Sequence, residues 1–517
     1  MSTTALILLI FIIYFGVIIS LAIRFRKSQN LSDYYLGGRS LNTWVGALSA
    51  QTSDMSGWLL MGLPGAIYAA GTGRAWIAVG LIIGTVLNWL FVAKRLRRYT
   101  IIAKNSVTLP EYLQNRFHDN THVLKITAAI FFAIFFTVYA ASGFVAGGTL
   151  LPRIFDIGYQ GAVIILASFV VLYTLIGGLK AISWTDSIQG MMMLMAVLIL
   201  PIVVISTMGG WSAVSREIPA GFFNMMSDGA GGTIAARSII SDMAWGLGYF
   251  GMPHILIKLI AIRKEKYVSR SAVIAIVWVL LALGSAVMVG LVGRAFMPGL
   301  DNPEIVFIQM VRTIFIDHGS LWAVLLGGLF LCGIFAAIKS TADSQLLVGS
   351  SAVADIYRVA NKKVTDQHLV WFSRFAVLIV AVIAVWIALD AYDPAIGGPD
   401  RSTGVMVLVA MAWAGFGAAF GPLVLLSLFW KRTNRLGAIA GIIVGGLTVI
   451  IWQYIPLVDC AILDTTLTLG AATRIYSLVP GFLLSLLAII GISLATKPPS
   501  REIEEEFEKA SIPSPEL

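Results

Sequence analysis

Charge is scarce in this sequence of 517 residues, since Asp, Glu, Lys and Arg together make up only 12% of it. That share is about half of what soluble domains carry. Hydrophobic residues make up 58%, and runs of about 20 of them, long enough to cross a hydrocarbon layer of roughly 30 Å, recur along the chain. The runs are too long, and too little alternated, for barrel strands. Composition therefore excludes a soluble fold and predicts an all-α polytopic membrane protein.

Cysteine is also nearly absent, with Cys332 and Cys460 as the two examples. Two cysteines in apolar surroundings provide neither a disulfide framework nor a metal-binding spacing. The sequence shows no phosphate-binding glycine loop, so we do not expect ATP-driven transport. We expect a transporter and not an enzyme. Its net charge of +9 comes from short basic clusters between apolar runs, where they set membrane topology. Nucleic acid is therefore not an expected partner.

The hydrophobic pattern predicts thirteen membrane spans. They cover approximately 4–23, 42–69, 75–94, 124–151, 159–177, 186–208, 239–262, 272–293, 321–352, 368–391, 403–430, 436–456 and 474–495. Basic clusters follow every second span, starting with the first, so the positive-inside rule places the N-terminus outside and the C-terminus in the cytoplasm. The first run is too long for a signal peptide and lacks a cleavage motif, so we interpret it as a span.

Two of the predicted spans carry helix-breaking or polar residues at mid-depth. The span 42–69 contains QTSDMSG, and the span 239–262 contains GLGYFGMP. Broken helices are tolerated at membrane depth only beside a cavity or inside protein. The two spans are five apart and so cross in opposite directions, which indicates an inverted five-helix repeat with a binding site where the breaks meet. The alternative is a pair of kinked structural helices.

Five motifs in this order resemble the sodium/solute symporter family, and most of all its bacterial sodium/proline symporter branch. The motifs are DYYLGGRSL (33–41), SDMSGWLLMGLPGA (53–66), WGLGYFGMPH (245–254), STADSQLLVGSS (340–351) and AGFGAAFGPLVLLSLFWKR (414–432). The resemblance implies a leucine-transporter-type fold in one transporter domain, 1–517. Its parts are an extra N-terminal helix 4–23, a first repeat 42–208, an inverted second repeat 239–430, two C-terminal helices 436–495 and a cytoplasmic tail 496–517.

The resemblance also implies the function. We expect a symporter that imports L-proline, or a close amino-acid relative, with sodium by alternating access across the bacterial cytoplasmic (inner) membrane. Sodium is then the coupling ion, no other cofactor is expected, and lipid surrounds the protein. A monomer is sufficient, although Gly437, Gly441 and Gly445 share one helix face that allows close packing within the chain or between protomers. The charged tail is expected to be amphipathic or disordered.

A zwitterionic solute needs hydrogen-bond donors for its carboxylate and acceptors for its amine, and unwound backbone supplies both. Aromatic side chains can cover an apolar ring. The second broken span offers Trp245 and Tyr249 one turn apart. The resemblance assigns the solute pocket to Tyr139, Trp245, Tyr249 and Pro253, with Ser56 and Gly57 beside it. Ordinary packing, or a place in an interfacial aromatic belt, is the alternative for each aromatic residue.

A sodium ion prefers hard oxygen ligands. The resemblance builds its site from Thr52, Met55, Ala337, Ser340 and Thr341, although the hydroxyls could instead bond to their own helix. Asp54 is an intramembrane carboxylate and therefore a functional candidate, to which the resemblance gives a role in sodium binding. Asp186 is implied on the inward ion path, and its alternative is the N-cap of the following helix.

Two positions depart from the branch. Met252 stands where the branch has a glutamine, which leaves the solute open, and Lys339 stands where it has an apolar residue. An ammonium near the ion site could replace sodium and give a proton-coupled or sodium-independent carrier of another amino or carboxylic acid. However, Lys339 lies about 140° around the helix from the proposed ion ligands. An (i, i+4) pair with Asp343 is the simpler prediction. The alternatives of another class are a transporter-like membrane sensor, against which the short tail argues, and a channel.

Overall fold

Helices account for most of the residues that the structure describes. The computed structural model describes residues 3–25, 30–317, 319–361, 363–393, 398–399, 404–460 and 465–514. The α-helices are α1 (Thr3–Phe25), α2 (Leu31–Leu36), α3 (Thr43–Asp54), α4 (Leu63–Ala70), α5 (Trp76–Leu87), α6 (Ala93–Ile102), α7 (Leu109–Arg116), α8 (Val123–Leu150), α9 (Pro152–Phe155), α10 (Tyr159–Thr207), α11 (Trp211–Glu217), α12 (Ala236–Met243), α13 (Pro253–Ile260), α14 (Glu265–Phe296), α15 (Val306–Val311), α16 (Leu321–Ala360), α17 (Asp366–Asp390), α18 (Val405–Phe429), α19 (Arg435–Tyr454), α20 (Leu469–Thr473), α21 (Leu478–Ala495) and α22 (Arg501–Ser511).

Shorter elements join these helices. Segments of 3-10 helix cover Gly37–Arg39, Gly71–Ala75, Ala244–Phe250 and Pro303–Ile305, and π-helical segments cover Trp58–Gly62, Asn88–Val92 and Arg312–Ile316. Strand β1 (Tyr392–Asp393) pairs antiparallel with β2 (Gly398–Pro399), and β3 (Pro456–Cys460) pairs antiparallel with β4 (Thr465–Thr468). Residues 515–517 of the predicted tail lie outside the described residues.

The described part of the chain contains ten helices that are long and apolar enough to cross a membrane. The all-α membrane architecture is thereby confirmed, whereas the count of thirteen is not and stays a prediction. One reason for the difference is α10, whose 49 residues span about 74 Å, roughly twice a bilayer. It is divided at Gly178, where φ is +60°. A second reason is that the predicted spans 42–69 and 239–262 are each divided into shorter pieces.

The first broken span is interrupted directly after Asp54. Met55 leaves the helical conformation with φ −80° and ψ 73°, and the chain turns through Ser56 and Gly57 into the π-helical segment Trp58–Gly62. The turn is packed tightly, because a Cβ atom on Gly57 would lie 3.1 Å from the Cβ of Ala146. The break that the polar residues predicted is therefore present, and it is held inside protein.

The second broken span is interrupted twice. Helix α12 passes into the 3-10 segment Ala244–Phe250, and Met252 is extended with φ −77° and ψ 106° before Pro253 starts α13. A Cβ atom on Gly248 would lie only 2.0 Å from the Nε1 atom of Trp413, so the close approach of α18 requires glycine there. Helix α18 thus packs directly against the break.

The two ends of the helix bundle differ. We call the end with Arg97, Arg98 and α22 the basic end, and the end with the β3–β4 pair the hairpin end, since the 20 residues of α19 separate the two. At the basic end, Arg98 donates hydrogen bonds to the carboxylate of Glu265 and, over 2.6 Å, to the carbonyl of Ala510. The Phe507 ring lies 4.9 Å from the Arg95 guanidinium. The predicted tail therefore contains a docked amphipathic helix.

The glycine stripe on α19 is used within the chain. A Cβ atom on Gly441 would lie 2.3 Å from Cγ1 of Ile489 on α21, and one on Gly445 would lie 2.3 Å from the carbonyl oxygen of Ala418 on α18. Gly437 likewise faces Ser493 on α21. These small residues let three C-terminal helices pack closely, which answers the question that the sequence left open.

Candidate functional site

The two broken spans meet at Asp54. The hydroxyl of Tyr249, from the second break, donates a hydrogen bond to the Asp54 carboxylate, and Nε1 of Trp58 donates to the Asp54 carbonyl over 3.1 Å. All three residues are buried. The other carboxylate oxygen of Asp54 has no hydrogen-bond partner among the described residues. The inverted spans are thus joined through a buried carboxylate that keeps one oxygen for a further partner.

An aromatic wall surrounds Trp245. Its ring stacks on Tyr476 at 5.3 Å and on Trp413 at 6.2 Å, and it lies 6.4 Å from the ring of Trp58. Nε1 of Trp413 donates to the Trp245 carbonyl over 2.7 Å, and the Trp413 ring meets Tyr249 edge-on at 5.3 Å. Trp245 and Tyr249, which the sequence predicted, therefore share one wall. Trp58, Trp413 and Tyr476 were not predicted, since nothing in their local sequence separates them from ordinary packing aromatics.

The remaining predicted solute residues lie close to the breaks. Tyr139 on α8 is fully buried, its ring meets His254 edge-on at 5.7 Å, and its hydroxyl has no hydrogen-bond partner in the described part of the chain. Pro253 is buried at the start of α13 directly before His254, and Met252 caps that helix without any exposure. The Ser56 oxygen accepts from the backbone N–H of Trp58 over 3.4 Å.

Four of the five predicted sodium residues come together between α3 and α16. The Ser340 hydroxyl lies 3.2 Å from the Thr52 carbonyl oxygen and 3.1 Å from the Ala337 carbonyl oxygen, and the Thr341 hydroxyl lies 3.5 Å from the Thr52 carbonyl oxygen. The bond to Ala337 is the local one that the alternative predicted, but both hydroxyls also reach across to another helix. Met55 lies at the break, and among the described residues no hydrogen bond joins it to this group.

Asp186 belongs to a buried network below this cluster. Its carboxylate lies 3.0 Å from Nζ of Lys258 and accepts from the hydroxyls of Ser49 (2.8 Å) and Ser53 (3.1 Å). Ser53 in turn hydrogen-bonds to Ser344 on α16 over 3.1 Å. The N-cap alternative for Asp186 is wrong, because α10 is divided at Gly178 and Asp186 lies well inside the second part of the helix. Lys258 was missed, and the available signal was a single lysine in an otherwise apolar half-helix.

Lys339 pairs with Asp343, as the helical geometry predicted. Its Nζ lies 2.5 Å from the Asp343 carboxylate, 3.2 Å from the Thr185 hydroxyl and 3.5 Å from the centre of the Tyr173 ring. Both side chains of the ion pair are completely buried. The ammonium is thus held between α16 and α10 by an acceptor, an anion and an aromatic face.

Arginine side chains at the basic end hold several backbone carbonyls. Arg39 donates to the Ile260 carbonyl over 3.0 Å, and Arg97 donates to the carbonyls of Ile262 and Arg263 over 2.6 and 2.7 Å. Burial lowers the pKa of Arg39 to about 10, so its guanidinium is still charged at neutral pH. These contacts tie segments next to both broken spans together.

A cavity of about 440 Å³ at the hairpin end reaches Trp245, and a cavity of about 570 Å³ at the basic end is lined by the start of α19, the end of α21 and α22. The aromatic wall around Trp245 therefore separates the hairpin-end cavity from the buried contact between Tyr249 and Asp54. Of these two cavities, the one at the hairpin end borders the aromatic wall, and no predicted site residue lines the other.

Comparisons with known proteins agree with this arrangement. The profile of the sodium:solute symporter family matches residues 34–445. The chain is 42% identical to the high-affinity proline transporter of Bacillus subtilis, over 93% of this chain and 96% of that protein. It is 41% identical to the sodium/proline symporter of Salmonella typhimurium, over 99% and 97%.

Among solved structures, a substrate-bound, outward-open sodium-coupled sialic acid symporter superposes with a TM-score of 0.76 at 18% identity, over 96% of this chain and 99% of that one. At that identity the likeness shows the fold alone. It confirms the predicted leucine-transporter-type architecture.

Proposed function

The chain belongs to the sodium:solute symporter family, and on that premise we propose that it imports L-proline, or a close amino-acid relative, together with sodium. The observation that carries the proposal is the stretch Thr52–Asp54. The carbonyl oxygen of Thr52 contacts the Ser340 and Thr341 hydroxyls of α16. The carboxylate of Asp54 accepts a hydrogen bond from Tyr249 of the second break. One short segment thus connects the proposed ion site to the proposed solute site. The relatives named as proline transporters support the choice of solute.

Sodium would bind among the carbonyl oxygens of Thr52 and Ala337 and the hydroxyls of Ser340 and Thr341, with the Met55 carbonyl as a further candidate from the break. These are the hard oxygen donors that such a cation prefers. An ion there would pull the end of α3 toward α16 and fix the position of Asp54. Because Asp54 holds Tyr249, ion binding would also order the solute wall. Sodium would therefore raise the affinity for solute, and solute the affinity for sodium, by the same factor.

The solute would lie between the breaks, with Trp245 and Tyr249 against its ring and Tyr139, Pro253, Ser56 and Gly57 completing the pocket. A helix that restarts after a break presents free N–H groups, and these favour a carboxylate. Buried polar atoms normally have a partner. The unpartnered Tyr139 hydroxyl and Asp54 oxygen are atoms for which a bound solute or ion would supply one.

Alternating access would open the two ends of the bundle in turn. The positive-inside rule makes the basic end cytoplasmic, so Arg39 and Arg97 would form the closed inner face and the 440 Å³ cavity the outer entrance. Import would require the arginine contacts to break. Asp186 and Lys258 would line the inward path of the ion. Entry of one positive charge gains about 2.3 kcal/mol per 100 mV of membrane potential, in addition to the sodium gradient. The setting would be the bacterial inner membrane, with the N-terminus outside.

One observation supports a second candidate function. Lys339, a cation buried in the same helix as the proposed sodium ligands, could carry the coupling proton in a proton-driven or sodium-independent carrier. The contacts of its ammonium favour sodium coupling, because they are with Asp343, Thr185 and Tyr173 and not with the proposed sodium ligands.

Uptake of labelled proline into proteoliposomes tests both candidates. An inward sodium gradient should drive accumulation, and potassium or pH gradients of equal size should not. Uptake that ignores sodium and follows the pH gradient would establish the second candidate instead. Specific proline binding without uptake under any gradient would favour a membrane sensor, and failure of both binding and uptake would show that the solute is another compound.

A further inference from the structure

The cavity at the basic end lies where two of the long apolar helices finish. It has a volume of about 570 Å³ and is lined by the start of α19, the end of α21 and the segment that leads into α22. Helix α19 has 20 residues and α21 has 18, so they are about 30 and about 27 Å long. Those lengths are barely enough to cross a hydrocarbon layer of roughly 30 Å. The cavity therefore lies at the level of the lipid headgroups.

The charged side chains that line this cavity are cations. Arg435 and Lys497 line it, and among the described residues no Asp or Glu does. Lys497 is exposed, and its ammonium has no ion pair or hydrogen bond in the described part of the chain. Nη1 of Arg435 lies 3.4 Å from the Asp119 carboxylate. That carboxylate already accepts the backbone N–H groups of Thr121 and Leu124 over 3.0 and 2.8 Å, so it engages the guanidinium through a single nitrogen. An anion in the cavity would therefore meet two cations with unused donors.

The walls of the cavity are held together by Asn434. Its side-chain oxygen caps α19, and its amide nitrogen donates to the Thr496 hydroxyl over 2.6 Å and to the Lys497 carbonyl over 2.9 Å. Nη2 of Arg432 donates to the Thr496 carbonyl over 2.7 Å. The backbone at Lys497 is thus fixed next to the start of α19, where Arg435 lies. The positions of the two cations are set before any ligand binds, which lowers the cost of binding.

Apolar surface continues from this cavity toward the membrane. Leu436 lines the cavity and is exposed, and Leu494 is exposed next to the lining residue Ala495. Further along α19, Ile443 and Leu447 are exposed as well. They follow Leu436 by 7 and 11 positions, about two and three turns, so the three side chains share one face of the helix. Cations at headgroup level above an apolar face suit a lipid better than a soluble anion.

We propose that this cavity binds the headgroup of an anionic phospholipid, which goes beyond the proposed transport function. Arg435 and Lys497 hold the phosphodiester through charge-assisted hydrogen bonds, and basic pockets between membrane helices are typical sites for such headgroups. Ser500, whose hydroxyl does not cap α22, is a further donor. The acyl chains lie along the apolar face of α19. Phosphatidylglycerol fits better than a lipid with an amine headgroup, because none of the described lining residues offers a carboxylate to the amine.

The test is a titration of the purified, delipidated full-length protein with dioctanoyl phosphatidylglycerol, followed by native mass spectrometry. The parent should show one saturable site that binds this lipid at least about tenfold more tightly than dioctanoyl phosphatidylcholine, since hydrogen bonds to charged groups are the strong ones. Lys497→Gln should remove most of that preference, and Lys497→Arg should keep it. Lys104→Gln, at an exposed lysine of the same end that does not line the cavity, is the matched control and should behave as the parent.

A comparison of ligands on the parent protein does not depend on the folding of any variant. Equal affinity for the two lipids would overturn the proposal, because the headgroup charge would then not be recognised. An equal loss in Lys104→Gln and Lys497→Gln would overturn it too, since binding would reflect the charge of the whole basic end. Glycerol 3-phosphate has the phosphate without acyl chains and should bind far more weakly. If it binds as tightly as phosphatidylglycerol, the cavity is a site for a soluble phosphate ester and the lipid proposal is refuted.

Discussion

Replacing Lys339 by Met removes the cation from a completely buried ion pair whose Nζ–carboxylate distance is 2.5 Å. Methionine fills nearly the same space, so the change leaves the packing of α16 against α10 largely intact. The Asp343 carboxylate, however, loses the cation that it contacts in the parent protein. Breaking one side of a buried pair typically lowers the free energy of unfolding by about 3–5 kcal/mol.

The cost of protonating Asp343 gives a similar loss in the free energy of unfolding. The stranded carboxylate can be relieved by taking up a proton, which costs about 1.4 kcal/mol for each pH unit above the ordinary carboxyl pKa of about 3.9. At pH 7 this amounts to about 4 kcal/mol, and at pH 5 to about 1.5 kcal/mol. The variant's folded state then holds one proton more than its unfolded state, so its free energy of unfolding rises as the pH falls. The deficit against the parent should therefore shrink by roughly 2.7 kcal/mol between pH 7 and pH 5.

The assay is thermal or denaturant unfolding of the purified protein at both pH values, together with sodium-driven proline uptake. Asp343→Asn should cost less than Lys339→Met, because the ammonium keeps Thr185 and the Tyr173 ring. The double variant Lys339→Met/Asp343→Asn should recover most of the stability. Lys363→Met, at an exposed lysine, is the control and should match the parent.

The sodium dependence of uptake should be unchanged in Lys339→Met, once uptake is scaled to the amount of folded protein. A variant with the parent's stability at pH 7 would refute the ion-pair reasoning. A variant that acquires or strengthens a sodium requirement would show that the ammonium had been standing in for the ion.

Further predictions concern the proposed solute and ion sites. Trp245→Ala should abolish measurable sodium-dependent proline binding, and unchanged affinity would remove Trp245 from the solute wall. Asp54→Asn should raise the sodium concentration for half-maximal uptake about tenfold or more, since hydrogen bonds to a charged group contribute about 1.5–3 kcal/mol. A parent-like sodium response would exclude Asp54 from sodium binding. Thr341→Ala should weaken sodium dependence without altering the unfolding temperature, and the reverse result would make its hydroxyl structural. Lys258→Met should lower the free energy of unfolding by about 3–5 kcal/mol by stranding Asp186, and Lys258→Arg should lower it less; equal stability of the two would refute the pair.

The sequence was sufficient for the architecture because the bilayer limits the choices. Apolar runs of membrane length must be helical, and Gly, Pro and polar residues at mid-depth must mark breaks that face protein. Both breaks, after Asp54 and around Gly248, are where the pattern predicted them. The length of α10 shows where this reasoning stops. Two spans join through a single glycine there, at Gly178, and no run of polar residues separates them.

Part of the site was predictable for the same reason. Spacing within one helix placed Lys339 against Asp343 and kept it away from Ser340, since helical geometry is fixed. Contacts between helices are not fixed by local spacing. Lys258 reaches Asp186 from another span, and Tyr476 reaches Trp245 from a segment more than two hundred positions later. Such partners depend on how the helices cross, and a local motif contains no information about that.

Helix α22 has a consequence for the order in which the protein is completed. Ribosomes make the chain from its N-terminus, so Arg501–Ser511 emerges after the ten long apolar helices described above have been synthesised. Its docking partners, Arg95 and Arg98, were made hundreds of residues earlier and remain without it until then. Docking of α22 is therefore a late step of biogenesis that only a chain containing this helix can reach, and a purification tag is better placed beyond Ser514 than in place of α22.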